Sequence, residues 1–236
     1  MLLRAARSLA IGFFSILAIV PSRAQQTDAT VIRDLSVANQ SRYDNVLSFT
    51  DVEHYAVFRG KDLSHPVAEM TVRMTYKKGD GKKYEILSRS GSAVVQKFGL
   101  QPLLDNEKAI NDPARAAQSW FTSTNYRMQL KPGVTQVIDG RTCLAIAISP
   151  HRKAPNMIEG TLWIDARDHA LAEVEGVASK NASVLAGTTK MMRRYANMAG
   201  YAMATHARAE AGSLFFGRTV VTIDYSDYHF QLRPTP

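Results

Sequence analysis

The feature that most constrains the fold is a succession of short strand patterns that fills the second half of the chain. Between residues 140 and 230 the runs read TCLAIAIS, GTLWID, ALAEVEGV, KMMRRYANM, YAMATHARAE and SLFFGRTVVTIDYSDYHF. Short apolar or alternating runs bounded by turn residues, such as Asp139-Gly140, are typical of β-strands. Strands that follow one another without a crossover helix pair antiparallel, because parallel neighbours need a connection of about a dozen residues or more. The sequence therefore predicts one antiparallel sheet in this half.

An earlier hairpin extends this sheet towards the N-terminus. The segment SFTDVEHYAVFRG is predicted to be a first strand, and residues 67–76 form a second strand with strict alternation. A glycine-rich polar turn over residues 77–83 leads into a return strand over 84–89. Two strands alone are marginally stable, so this hairpin must join the wider sheet. One face of the second strand carries Ala68, Met70, Val72, Met74 and Tyr76.

Two segments carry helical patterns. Residues 31–43 place Val31, Ile32, Leu35 and Ala38 at helical spacing, which predicts an amphipathic helix. Residues 92–120 break the strand pattern and predict a helical insert that is interrupted near Gly99 or Pro102, with a helix start at Asp112-Pro113. The strand pattern returns at residue 126 as NYRMQL and VTQVI, two predicted strands on either side of Lys131-Pro132-Gly133. The predicted fold class is α+β: a single curved antiparallel β-sheet, an incomplete barrel, with helices packed on its concave face. A surface between sheet and helices favours an apolar pocket.

The first 24 residues are predicted to be a cleavable export signal. Arg4 and Arg7 precede an apolar run over residues 9–20, and Ser22-Arg23-Ala24 supplies small residues at the cleavage site. We therefore expect a periplasmic protein with one domain over residues 25–236. No cysteine lies near the cleavage site, so we expect no lipid anchor. The leader has three arginines and no acids, so the formal charge falls from +8 to +5 on cleavage. We expect a monomer that does not bind nucleic acid, because export removes the chain from it.

No residue pattern predicts catalysis. Cys143 is the single cysteine and alternates with apolar residues, so we expect a buried strand residue. The six histidines lack metal-ligand spacing, and no nucleophile elbow or phosphate loop occurs. Asp224 and Asp227 are three apart on a strand and therefore fall on opposite faces. We expect no enzyme, no metal and no cofactor.

Short motifs nevertheless resemble those of a known family. They are Asp139-Gly140-Arg141-Thr142-Cys143, the run Gly160-Thr161-Leu162-Trp163-Ile164-Asp165, and the final Thr222-Ile223-Asp224-Tyr225-Ser226-Asp227-Tyr228. With the order of elements, they resemble the LolA-like superfamily of exported lipid and lipoprotein carriers, in particular its bacterial outer membrane lipoprotein-sorting type. The resemblance implies an incomplete barrel closed by helices whose cavity holds acyl chains.

These arguments predict a carrier or binding protein for lipid or lipoprotein acyl chains. Flexible methionines suit a pocket for variable hydrocarbon, and the predicted cavity residues are Met70, Val72, Met74, Tyr76, Phe215, Val221 and Ile223. Basic residues beside an unpatterned loop over 179–190 are candidates for contacts with an anionic head group: Lys190, Arg193 and Arg194. Ordinary core packing and a solvated basic strand end are the alternative interpretations. The alternative function is an envelope sensor or scaffold on the same fold, which binds a protein partner such as an envelope membrane protein.

Overall fold

A ten-stranded sheet makes up most of the computed structural model, which describes residues 28–154, 156–180, 187–213 and 217–234. The export signal predicted over residues 1–24 lies outside these residues. The ten strands are β1 Val46–Arg59, β2 Ala68–Lys77, β3 Gly81–Gly91, β4 Tyr126–Ile138, β5 Arg141–Pro150, β6 Ile158–Asp165, β7 Leu171–Ala178, β8 Lys190–Met198, β9 Tyr201–Ser213 and β10 Gly217–Leu232.

All neighbouring strands pair antiparallel, as predicted. Their order across the sheet is β3-β2-β1-β10-β9-β8-β7-β6-β5-β4. Strands β4 to β10 form a meander, and β10 returns to pair with β1 over twelve residue pairs from Val46 to Arg59. Strands β3 and β4 are the two unpaired edges, so the sheet is open rather than closed. The α+β class and the incomplete barrel are confirmed.

Helix α1 spans Asp28–Asn45, slightly longer at both ends than the predicted 31–43. Val31 and Leu35 are fully buried on one side of α1. They pack in a cluster with side chains of β4 to β7, among them Ile146 and Leu162. The amphipathic pattern read from the sequence thus marks the face that meets the sheet.

The predicted helical insert is present between β3 and β4. It consists of α2 at Ala93–Val95, a π-helical turn at Gln96–Leu100, α3 at Gln101–Ile110, α4 at Pro113–Ala116 and a 3₁₀ turn at Ala117–Ser119. The irregularity predicted near Gly99 or Pro102 is this π-helical turn, which ends where Pro102 occupies the first turn of α3. Asp112 caps α4 by accepting a hydrogen bond from the Ala114 amide at 2.8 Å, as its position before proline predicted.

Two strand boundaries differ from the sequence prediction. Residues 126–138 were predicted as two strands around Lys131-Pro132-Gly133, but they form the single strand β4 with a bulge between Leu130 and Thr135. A bulge bends an edge strand without ending it, and an edge tolerates the missing amide of Pro132. The last predicted strand was drawn from Ser213, whereas Ser213 ends β9 and β10 begins at Gly217. The centre of the predicted 179–190 loop, residues 181–186, lies outside the described residues.

Candidate functional site

Both main helices pack on the same face of the sheet, here called the inner face. The strand registers define a row that crosses nine strands along this face. From β4 to β2 the row reads Leu130, Ile146, Leu162, Val174, Arg193, Ala207, Ile223, Tyr55 and Met70. Every member except Arg193 is apolar or aromatic. The inner face is therefore a continuous apolar wall with one cation at its centre.

The helices cover the two ends of this wall. Helix α1 covers the end formed by β4 to β7. The insert covers the end formed by β1 and β2, where its Val95, Leu100 and Leu104 pack against the wall. Between the two covers lie β8 and β9, where Arg193 of the row is half-buried and Ala207 is buried. We call this stretch of β8 and β9 the central strip.

Small side chains form much of the central strip. Strand β9 carries alanine at positions 202, 204, 207, 209 and 211. Ala207 belongs to the cluster under the insert, and Ala202 packs against the cluster under α1. Ala209 shares the face of Ala207, because residues two apart on a strand point the same way. These alanines add little side-chain bulk between the cluster under α1 and the cluster under the insert.

The structure brings most of the predicted cavity residues together at one end of the inner face. Met70 and Val72 are fully buried, Ile223 is buried beside them, and Val221 packs at the margin of the same cluster. Met74 and Tyr76 belong to a neighbouring cluster around Phe49. Phe215 lies outside the described residues. Because α3 packs directly on Met70 and Val72, these side chains are covered by protein and can meet a ligand only if the insert moves.

The predicted head-group residues do not share one position. Arg193 lies on the inner face, with its side chain 35% exposed, 3.8 Å from Glu107 of α3 and 6.0 Å from the ring of Tyr225. Arg194 points to the opposite face, where it donates to Glu173 at 2.7 Å. Lys190 is exposed at the start of β8. Neighbouring residues of a strand alternate between faces, so Arg193 is separated from Arg194 by the sheet itself.

Two buried carboxyl groups on the inner face were missed by the sequence analysis. Asp51 is 2% exposed and Glu53 is 1% exposed, and both alternate with Phe49 and Tyr55 along β1. The hydroxyl of Tyr55 donates to one oxygen of Glu53. Within the described residues, Asp51 Oδ1 and Glu53 Oε1 are buried without a hydrogen-bond partner. Strand alternation alone would have placed both acids on the face of Tyr55.

Burial dominates the electrostatics of this acidic pair. It raises the pKa of Asp51 from 3.8 to about 7, and the negative charge of Glu53 adds to the effect. Burial also raises the pKa of Glu53, which Lys82 and the Tyr55 hydroxyl partly oppose. The hydroxyls of Tyr55, Tyr84, Tyr225 and Tyr228 likewise have raised pKa values because of burial. They therefore remain protonated and can act as donors inside the fold.

The insert is attached to the sheet by polar contacts at both ends. Near its start, buried Gln96 donates through Nε2 to the carbonyl oxygens of Glu69 at 2.6 Å and Ser90 at 2.7 Å. At its end, Arg152 donates to the carbonyl oxygen of Gln118 at 2.8 Å and Asn156 donates to the hydroxyl of Ser119 at 2.5 Å. Between these two attachments, the carboxylate of Glu107 in α3 lies 4.0 Å from Lys82 Nζ and 3.8 Å from Arg193 Nη2. We call this attachment of α3 the Glu107 latch. It joins α3 to β3 and to the central strip.

Two clefts open on the surface, and neither is lined by the predicted cavity residues. The larger, of about 500 Å³, is lined by Arg89, Ser90, Gly91, Ala93, Gln96, Lys97 and Gln101. The smaller, of about 190 Å³, is lined by Thr50, Asp51, Val52, Arg73, Asp227 and His229. Polar residue types predominate in both linings, but most of the lining surface is apolar.

Among the described residues, no helix is both long and apolar enough to cross a bilayer. The same residues contain no group of three or more histidine, cysteine or acidic side chains placed to hold a metal ion.

The inner face and its helical covers define a protein built as an open antiparallel sheet around a sheltered interior, and similar solved structures exist. A DUF1329 family protein from Desulfovibrio piger is 12% identical, with a TM-score of 0.45 over 88% of this chain and 95% of the other. A putative outer membrane lipoprotein-sorting protein domain from Vibrio parahaemolyticus is 14% identical, with a TM-score of 0.45 over 85% and 93%. A LolA superfamily protein from Nitrosomonas europaea is 14% identical, with a TM-score of 0.43 over 89% and 96%.

No protein-family model matches the sequence, and no curated protein matches it.

Proposed function

We propose that this protein is a non-enzymatic, periplasmic binding or carrier protein that holds the apolar chain of a lipid or lipoprotein between the inner face and the insert. The observation that carries this proposal is the apolar row from β4 to β2, which is covered at both ends and lined by alanines in between. A row of this kind offers a long hydrocarbon chain an apolar surface that is interrupted only by Arg193.

Entry of a chain requires the insert to move away from the sheet. Its π-helical turn suits a hinge, since such turns are uncommon and frequent at functional sites. The Gln96 contacts hold the start of the insert to β2 and β3, while the Glu107 latch holds the end of α3. Opening at the latch swings α3 about the Gln96 end and uncovers Met70 and Val72.

The free energy needed to uncover the apolar residues of the insert is similar to the free energy gained by burying a hydrocarbon chain. We therefore expect the protein to select ligands by chain length. Uncovering Val95, Leu100 and Leu104 costs about 1.5–3 kcal/mol each, or roughly 5–9 kcal/mol in total. Each buried methylene returns about 0.8 kcal/mol, so a dodecyl chain returns roughly 9 kcal/mol. We expect octyl chains to bind weakly and affinity to rise steeply up to hexadecyl chains.

A change that fills the central strip tests the proposal. Ala209→Trp should lower the affinity for a fluorescent long-chain alcohol at least tenfold, because the indole would occupy the space over β9. The matched control is Thr222→Trp on β10, whose register partners Ala56 and Arg208 place it on the opposite face. Native mass spectrometry of the purified protein should show co-purified or added long-chain ligand. A protein that stays ligand-free with every chain length contradicts the proposal.

A partner-binding function is the second candidate, and the edge strand β3 supports it. Most of β3 is exposed, including Ile86 at 41% and Leu87 at 42%. An exposed edge offers unpaired backbone groups to an extended segment of a partner. Crosslinking pull-downs from envelope extracts should then recover a stoichiometric protein that Leu87→Lys abolishes. Recovery that is unchanged by Leu87→Lys contradicts binding at this edge.

A further inference from the structure

We infer that Asp51 and Glu53 form a site for the ammonium group of an amphiphilic ligand whose chain lies along the inner face. This inference rests on the proposed function, and it specifies which end group the interior selects. Neither residue was among the predicted site residues, and the apolar wall alone gives no reason for two acids in its midst.

The geometry of the pair leaves acceptors without donors. Asp51 and Glu53 lie two residues apart on β1 and oppose Met74 and Val72 of β2. Val72 belongs to the cluster under the insert, whereas Met74 belongs to the neighbouring cluster around Phe49, and Asp51 also lines the smaller cleft. Asp51 Oδ1 and Glu53 Oε1 have no hydrogen-bond partner among the described residues. Leaving a buried acceptor unpaired is unfavourable, and more so if the acceptor is charged. A ligand that supplies N–H donors would remove this cost.

The cations of the chain are engaged elsewhere. Lys82 and Arg193 both face Glu107 of α3, at 4.0 Å and 3.8 Å. Arg42 of α1 lies near Arg193 and near Tyr76, Tyr195 and Tyr228. In the described part of the chain no ion pair within 4 Å reaches Asp51 or Glu53. Lys82 acts on both acids only at longer range, where it lowers their pKa values without overcoming burial.

Aromatic rings around the pair favour an ammonium group over a neutral donor. Tyr225 opposes Glu53 across β1 and β10, and Tyr55 donates to Glu53. The Tyr228 hydroxyl donates to the carbonyl oxygen of Ala204 at 2.8 Å and also lies within hydrogen-bond reach of the Asp51 carboxyl group, whose Oδ1 atom stays unpaired. The faces of tyrosine rings attract cations, and more strongly where water is excluded. Carboxylates among tyrosine rings therefore form a setting that selects positive charge.

Binding of a cation should also displace a proton from this site. The pKa of Asp51 is about 7, so the empty site holds a proton at mildly acidic pH. Glu53, Lys82 and Tyr228 act on Asp51, and Glu107 and Arg193 act on Glu53. The charged and titratable residues that line the smaller cleft with Asp51 are Arg73, Asp227 and His229. The affinity for an alkylammonium ion should rise severalfold between about pH 6 and about pH 8, while the affinity for the matching alcohol should not change.

Competition binding with three probes of equal chain length tests the inference: dodecylammonium, dodecanol and laurate, each displacing a fluorescent alcohol from the purified protein. We expect dodecylammonium to bind at least tenfold more tightly than dodecanol. The doubly changed variant Asp51→Asn/Glu53→Gln should lose this preference and retain dodecanol binding, which shows that it is folded. Asp224→Asn, an exposed acid of the outer face, is the matched control and should keep the preference.

The outcomes separate this inference from the proposed function. Dodecanol binding without preference for dodecylammonium, or a preference that survives in the double variant, overturns the ammonium site and leaves the proposed function standing. Failure of all three probes and of longer chains contradicts the proposed function itself. If the double variant does not fold, the pH dependence of binding to the unchanged protein tests the site instead. An affinity for dodecylammonium that stays the same between about pH 6 and about pH 8 overturns the ammonium site.

Discussion

Among single residues, Asp51 and Glu53 differ most from their surroundings. Each is an acid in an otherwise apolar and aromatic layer, and each is almost fully buried. Their effects on stability follow from the direction of their pKa shifts and from their few hydrogen bonds.

Asp51 should make the protein less stable as the pH rises. Between about pH 4 and about pH 7 the folded protein holds a proton on Asp51 that the unfolded chain has lost, since the pKa is raised from 3.8 to about 7. Stability falls wherever the folded state binds more protons. At about 1.36 kcal/mol per pKa unit, the loss is at most ~4 kcal/mol. Urea unfolding near pH 5 and pH 8 should show this fall in the unchanged protein and a flatter profile in Asp51→Asn, whereas Glu159→Gln, at an exposed acid, keeps the original slope. An unchanged slope in Asp51→Asn would be evidence against the assignment.

Tyr55 should stabilise the fold through its hydroxyl as well as its ring. Tyr55→Phe keeps the ring in the cluster under the insert but removes the donor to Glu53, which leaves a second oxygen of a buried carboxyl group unpaired. We expect a loss of about 1–3 kcal/mol in the free energy of unfolding. Tyr201→Phe, at a half-buried tyrosine, is the comparison and should cost clearly less. Equal losses would show that the Glu53 contact contributes nothing.

Some of these residue positions could be predicted from the sequence. Alternation assigned Ala68, Met70, Val72, Met74 and Tyr76 to one face, and the structure shows this face buried or half-buried. The same rule applied to β1 would have placed Asp51 and Glu53 inside. The contact between Glu107 and Arg193 could not be derived, because it depends on where α3 lies on the sheet and no local pattern encodes that position.

At the scale of elements, the insert is the part whose movement the proposed function requires. It covers β1 and β2 through three buried apolar residues, Val95, Leu100 and Leu104, and polar contacts hold it at Gln96, at Glu107 and at its end. The sequence predicted a helical insert because the strand pattern stops at residue 92. It also predicted an interruption of the helix near Gly99 or Pro102, but not the π-helical form of that interruption.

Weakening the Glu107 latch should loosen α3 without unfolding the sheet. Glu107→Gln removes the charge that faces Lys82 and Arg193, all of them at least partly buried. Hydrogen exchange over residues 101–110 should become severalfold faster while exchange in β5 to β7 stays the same. Glu85→Gln, which disturbs an exposed pair with Arg73, is the control and should change neither. Unchanged exchange in α3 would show that apolar packing alone holds the insert.

At the scale of the whole molecule, the open sheet presents one inner face that runs across nine strands. The sequence predicted the antiparallel meander, the curved sheet and its helical covers, because each depends on local periodicity and on the absence of crossover helices. It did not predict that β10 would pair with β1, which joins the hairpin to the meander and makes the wall continuous. This closing contact links the ends of the described chain and has no local signal.

Photo-crosslinking is the most direct test of the claim that the inner face holds an apolar chain. A hexadecyl chain with a diazirine at its middle carbon, bound to the purified protein and activated by light, should label inner-face positions such as Val221 and Ile223, together with Leu100 or Leu104 of the insert. An excess of unlabelled chain should abolish this labelling. Labels confined to outer-face positions such as Thr222, or to exposed Phe98, would contradict the account.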